Sequence, residues 1–165
     1  MNDPVFTISR TFDAPLALLW EVYSQERHLA KWWGPRGFEW VKGTLDFRPG
    51  GHFHYCMKSP AGQEMWGRFD YREIVPMKKV VFTNGFSNRD GDIVRAPFAA
   101  SFPLQVLNEV SFSESGGRTT LAMRGTPFNA SDEEKAFFKT MFASMNQGFT
   151  GTLHQLEDYL KQLRS

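Results

Sequence analysis

His52 and His54 form a His-x-His pair, a spacing that lets two imidazoles on one strand reach a single metal ion. Cys56, the only cysteine in the chain, continues the same parity. So does Lys58, while Phe53, Tyr55 and Met57 take the opposite face. A face that ends on a lysine, with no acidic ligand at matching spacing, reads as a solvated strand surface rather than a metal centre. A Cys-His nucleophile would need a cleft and a lowered thiol pKa, and the sequence supplies neither. Gly-x-Ser-x-Gly, His-Glu-x-x-His and a phosphate loop do not occur, and Gly50-Gly51 reads as a turn. No catalytic residue and no metal ligand is assigned.

Among the carboxylates, Glu64, Asp70 and Glu109 have outward parity in the strands described below. A general base belongs inside a pocket, within reach of substrate. Only Glu73 could face inward, and only if a bulge precedes it. Three polar residues share parity with apolar neighbours: Arg10 with Ile8 and Phe12, Asn84 with Phe82 and Phe86, Asn108 with Val106 and Val110. A buried polar group needs a partner, supplied by the protein, by water or by a ligand. For Arg10 a structural ion pair is expected, with Asp46 or Glu73 as its carboxylate.

These residues sit in a legible order of elements. Residues 5–12 alternate as a strand. Asp13 reads as an N-cap and Pro15 as a first-turn residue of a helix through about residue 25. A second helix carries Leu29, Trp32 and Trp33 and stops at Gly34-Pro35. Strands follow at 38–47, 52–58 and from 64, with a bulge expected near residues 72–74, and then a strand at 80–86. Residues 87–103 read as a long surface connection beside a pocket mouth. Two more strands, 104–112 and 118–125, are joined by a tight turn at Glu114-Ser115-Gly116-Gly117. Ser131 and Glu134 make a capping box for one continuous helix over about 132–162. Its stripe is Phe138, Phe142, Met145, Phe149, Leu153, Leu156, Leu160 and Leu163, with Gly148 and Gly151 marking a bend or a close approach. Strands joined by short turns, with helices near both ends, mean an α+β domain with an antiparallel sheet, one domain over residues 1–165.

Several segments then occur in a characteristic sequence: Arg10-Thr-Phe-Asp-Ala-Pro15, Trp32-Trp-Gly-Pro35, Asp46-Phe-Arg-Pro-Gly-Gly51, Tyr71-Arg-Glu-Ile74 before Pro76, and Gln147-Gly-Phe-Thr-Gly-Thr-Leu153 with Leu156. As an ordered set they resemble the domains homologous to the activator of the heat-shock chaperone ATPase. Those domains belong to the SRPBCC superfamily, with the START lipid-transfer domains, the birch-pollen allergen and polyketide cyclases. The resemblance runs from about residue 5 to residue 163. It implies a helix-grip fold, a curved antiparallel sheet wrapped around a long C-terminal helix with a cavity between them. Gly148-Phe149 stands where the family usually has Gly-Trp, which keeps an aromatic ring and removes an indole N–H. Superfamily members include binders, transporters, enzymes and chaperone partners, so the fold leaves function open.

Within that fold the inward strand faces and the helix would bring together Phe53, Tyr55, Met57, Met65, Phe69, Phe82, Asn84, Asn108, Met145 and Phe149, with Trp32 and Trp33 closing one mouth. Sixteen Phe, five Trp, four Tyr and seven Met make an aromatic content above the ordinary; most of these side chains fill the core, and such side chains also line cavities for apolar ligands. The function expected is binding of a small apolar or aromatic molecule, without cofactor. Two alternatives stand beside it: a cyclase- or hydrolase-type enzyme in the same cavity, with Tyr55, Glu73 and Arg10 as its ionisable candidates, or a chaperone-interaction domain. A formal net charge of +1 with no basic run argues against nucleic-acid or membrane partners. One cysteine and an N-terminus without a basic, apolar leader place the expectation in the cytoplasm.

Overall fold

The computed structural model describes residues 3–164. Chain order is β1 (Phe6–Phe12), α1 (Leu16–Ser24), α2 (Glu26–Trp32), β2 (Glu39–Leu45), β3 (His52–Lys58), β4 (Glu64–Val75), β5 (Lys79–Ser87), β6 (Ile93–Val94), β7 (Gln105–Ser115), β8 (Arg118–Phe128), α3 (Asp132–Thr140) and α4 (Phe142–Arg164). The strands form one antiparallel sheet in the order β1-β8-β7-β5-β4-β3-β2, with β6 paired to β5 off that path. From β2 to β5 and from β7 to β8 chain neighbours are sheet neighbours; after β6 the chain returns to place β7 beside β5, and from β1 it crosses through α1 and α2 from one sheet edge to the other. The sheet stays open and wraps the C-terminal helix, a helix-grip fold.

Register follows side-chain parity. In β3 paired with β4, Phe53 faces Phe69, Tyr55 faces Gly67 and Met57 faces Met65. The expected bulge lies between Tyr71 and Glu73, where the β4–β5 register shifts, and it lets Ile74 pack against the main core. That core holds Phe12, Leu19, Val22, Trp32, Phe53, Phe69, Phe82 and Val110 from the sheet and first helices, and Leu153, Leu156 and Leu160 from α4. Burying each such side chain contributes about 1.5–3 kcal/mol.

Four expectations are corrected. The N-cap of α1 is Pro15, not Asp13, and no side chain of its own caps it. Instead Glu114, on the β7–β8 hairpin, accepts a hydrogen bond from the Leu16 N–H at 3.0 Å. The terminal helix is two helices: the Ser131–Glu134 capping box starts α3, but Met141 breaks the run. The Thr140 hydroxyl donates to the Phe137 carbonyl there, drawing it away from the helical ladder. Phe138 meanwhile turns into a second apolar group with Phe6 and Val106. Leu163 is exposed, so the α4 stripe ends at Leu160. Finally, residues 87–103 are not one structureless connection, because β6 returns to pair with β5.

Candidate functional site

Between the sheet and the N-terminal half of α4 lies a space of about 250 Å³. Trp33, Gly34 and Pro35 close it on the α2 side, and Phe102 on the side of the loop before β7. The sheet contributes Tyr55, Met57, Met65, Gly67, Asn84, Phe86, Val106 and Asn108, and α4 contributes Met145, Gly148, Phe149 and Thr152. A smaller space of about 40 Å³ shares Trp33, Asn84, Asn108, Phe149 and Thr152 with it, and reaches inward to Trp32, Phe69 and Phe82. A wider groove of about 560 Å³ runs past Thr7, Ser9, Glu109, Ser111 and Arg124. Its lining mixes polar and apolar groups and includes no aromatic ring, a poorer setting for an apolar ligand.

Glycine opens room at two of these positions. A Cβ on Gly67 would fall 2.4 Å from the Tyr55 hydroxyl, so only glycine lets the phenol lie across β4. Gly34 has φ +115, and a Cβ there would meet the Met57 sulfur at 2.4 Å. On α4 the two glycines differ. A Cβ on Gly148 meets nothing within 4 Å, while one on Gly151 would touch the Arg36 backbone nitrogen at 3.4 Å. The helix thus approaches the α2–β2 connection at Gly151 and faces open space at Gly148.

The mouth is pinned to α4. Gln155 donates to the Trp32 carbonyl at 3.4 Å and also to the Gly34 carbonyl. One turn on, buried His28 shares a 2.6 Å hydrogen bond between Nδ1 and the Tyr159 hydroxyl. Burial and the neighbouring Arg27 hold the His28 pKa below its ordinary value, outweighing the half-exposed Glu21 carboxylate 3.5 Å from Nε2.

Polar groups inside are few and uncharged. Asn108 Nδ2 donates to Asn84 Oδ1 at 2.6 Å and to the Val106 carbonyl at 3.2 Å. That arrangement occupies one lone pair of the Asn84 oxygen, leaves the Asn84 amide nitrogen as a donor and leaves the Asn108 oxygen as an acceptor. The Thr152 hydroxyl donates to the Gly148 carbonyl at 3.2 Å, which uses its proton and leaves its oxygen as an acceptor. The Trp33 indole N–H is buried without a hydrogen-bond acceptor. Burial pushes the Tyr55 pKa up to about 12, offset in part by that N–H, which approaches the phenol without the alignment of a hydrogen bond. Among the described residues no Arg, Lys, His, Asp or Glu lines the space.

The residues expected from the sequence divide into three groups. Trp33, Tyr55, Met57, Met65, Asn84, Asn108, Met145 and Phe149 all line the larger space. Phe69 and Phe82 stack on each other at 4.3 Å and border only the smaller one. Trp32 does not close a mouth: it is buried, donating its N–H to the Val22 carbonyl at 2.8 Å. Phe53 lines neither space and packs against Trp33 and Trp40. Phe102 and Thr152 were missed. The first sits in a loop without periodicity; the second is a polar residue inside an apolar stripe. Gly148 carried the one usable signal, an unexplained glycine in mid-helix.

The chemically suggestive residues lie elsewhere. Arg10 does form an ion pair, but with Glu157 on α4, and His154 Nδ1 lies 3.1 Å away. Asp46 pairs with Arg48 instead, and Glu73 is exposed and pairs with Lys79 at 3.1 Å. The outer face of β3 is less solvated than its sequence suggests. His54 stacks on Trp66 and lies 3.1 Å from the Asn88 carbonyl, Arg68 holds the Gly91 carbonyl, and Cys56 is fully buried. The cause is the turn between β5 and β6, which folds back over that face. Burial raises the Cys56 pKa, the opposite of what an activated thiol needs. Among the described residues no group of three His, Cys, Asp or Glu is placed to hold a metal ion. Among the described residues no helix is long and apolar enough to cross a membrane.

Comparison with known proteins agrees with the architecture. The profile of the family described as "Activator of Hsp90 ATPase homolog 1-like protein" matches residues 13–161. No curated protein matches the sequence. A solution structure of a protein from Arthrobacter aurescens superposes with a TM-score of 0.79 at 25% identity, covering 96% of this chain and 86% of that one. A crystal structure from Mycobacterium smegmatis gives 0.74 at 25% identity, covering 98% and 90%. One from Nitrosomonas europaea gives 0.74 at 21% identity, covering 97% and 96%.

Proposed function

This chain belongs to the Activator of Hsp90 ATPase homolog 1-like family, and from that premise we propose that it binds a small apolar or aromatic molecule between its sheet and α4. One observation carries the reading: the space of about 250 Å³ that sheet and helix leave unfilled. The space is a partly open recess, and its lining is mostly apolar, the kind of concave surface that suits a small apolar ligand. Its walls are aromatic rings and three methionines, Met57, Met65 and Met145. Thioethers adapt to irregular partners, and aromatic walls offer area at little entropic cost. An engineered apolar cavity of roughly 150 Å³ admits one benzene, so this one suits a molecule of one or two rings.

The enzyme alternative is less well supported. It needs an ionisable group aimed at substrate, but Glu73 and Arg10 are paired elsewhere and Tyr55 is held protonated. A chaperone-interaction domain, which the family's description suggests, would be favoured by a filled interior. The test is a panel of fatty acids, flavonoids and polycyclic aromatics, read by thermal shift and by tryptophan fluorescence from Trp33. A ligand at 100 times its Kd should add about 2.7 kcal/mol of stability. If no panel member raises the melting temperature, the chaperone reading takes first place.

A further inference from the structure

We infer that the cavity selects a neutral aromatic molecule bearing a hydrogen-bond acceptor oxygen, and discriminates against both carboxylates and plain hydrocarbons. The inference rests on the binding function proposed above and adds the chemistry of the ligand. Its first support is the missing countercharge. Among the described residues no cation lines the space. At the rim, Arg95 bonds the Phe102 carbonyl and pairs with Glu134, and Arg36 faces Asp158 at 3.8 Å. A carboxylate entering here would lose its water without gaining an ion pair, a heavy cost in an apolar setting.

The second support is a buried donor without an aligned acceptor. Trp33 buries an N–H with no acceptor. The Asn84 amide nitrogen is left over when its oxygen accepts from Asn108. Tyr55 keeps its proton and lies across Gly67 beside Trp33. A buried donor without an acceptor is rare and costly, and a ligand carbonyl or ether oxygen would satisfy the Trp33 N–H. A hydrocarbon fills the same volume but leaves that N–H orphaned.

The test is a matched set of three probes of one shape: 2-acetylnaphthalene, naphthalene and 2-naphthoate, titrated calorimetrically at pH 7.5. The ketone should bind about tenfold more tightly than naphthalene and at least tenfold more tightly than the carboxylate. In Trp33→Phe, which keeps a ring and removes the N–H, the ratio of ketone to naphthalene affinity should fall toward one. Tyr55→Phe gives a second reading of the same ratio should the first variant fold poorly. Naphthoate binding as well as the ketone, or a ketone no tighter than naphthalene, overturns the inference. If none of the three binds while a member of the wider panel does, the inference falls and the binding function stands. If nothing binds at all, both fall together.

Discussion

Gly148 separates the ordinary from the unusual at the scale of single residues. A mid-helix glycine costs up to about 1 kcal/mol relative to alanine. Here a methyl group would enter open space, because no neighbouring atom lies within 4 Å of the position. Gly148→Ala should therefore raise stability by about 0.5–1 kcal/mol in urea unfolding. A loss of stability would mean that the interior is closed against α4. His28 makes a second residue-scale prediction. Burial depresses its pKa below 6.5, so the unfolded chain takes up the proton first as pH falls. Its contribution is present above the unfolded pKa of about 6.5 and is lost as pH drops from there toward the lower folded value. Urea melts at pH 7.5 and pH 5.5 should show lower stability at the acid end, and His28→Gln should flatten that difference. An equal slope in the variant would remove His28 as its cause. Parity made much of this scale legible. The inward positions of Tyr55, Met57 and Met65 follow from strict alternation in β3 and β4. The partner of Arg10 was not legible, because Glu157 lies 147 residues away on another element. Local spacing carries no information about such a pair.

At the scale of elements, α1 shows how far a cap can travel. The helix begins at Leu16 with no side chain of its own on the first turn's free N–H groups. Glu114 supplies the acceptor from the opposite end of a hairpin, so the β7–β8 turn and the α1 start are formed together. Glu114→Ala should cost about 0.5–1 kcal/mol, at the low end of capping effects because the bond is exposed. Glu114→Gln, which keeps an acceptor oxygen, should cost less. Equal losses in the two variants would point to charge rather than to the cap. The contrast with α3 is instructive. Its capping box was readable because Ser131 and Glu134 are three residues apart in sequence. The α1 cap was not, because its two halves are 98 positions apart. The same distinction explains the terminal helix. Periodicity alone runs unbroken from Phe138 to Leu160, since breaking at Met141 barely disturbs the spacing. Two things accompany the break: the Thr140 hydroxyl takes the Phe137 carbonyl, and Phe138 and Phe142 gather with Phe6 in an edge-to-face group at one end of the sheet, a tertiary contact that spacing does not show. β6 was missed for a related reason, since a two-residue strand has no period to detect.

At the scale of the whole molecule, the interior is divided. One apolar body joins α1, α2 and the C-terminal half of α4 to the middle of the sheet, and a second joins α3 and the start of α4 to Phe6 and Val106. The unfilled space lies where the two meet, with Trp33 and Tyr55 on the side of the first, and Val106, Met145 and Phe149 on the side of the second. A space so placed costs the fold little, because apolar side chains are buried on either side of it and the sheet bridges the two groups. That division is the basis of the last prediction. Met145 borders the gap from the helix, so an indole at this position should grow into vacant volume. Met145→Trp should leave urea stability within about 1 kcal/mol of the parent, since volume is added where none is displaced. In a filled interior the same change would overpack and cost about 1–3 kcal/mol. The variant should also lose the thermal shift given by any ligand that binds the parent, because the added ring occupies the ligand's place. The two readouts together separate the possibilities. Unchanged stability with lost binding supports a working cavity. Retained binding in a stable variant would move the ligand off this site. A destabilised variant that binds nothing, beside a parent that also binds nothing, would make the chain a solid module whose partners meet its outer surface.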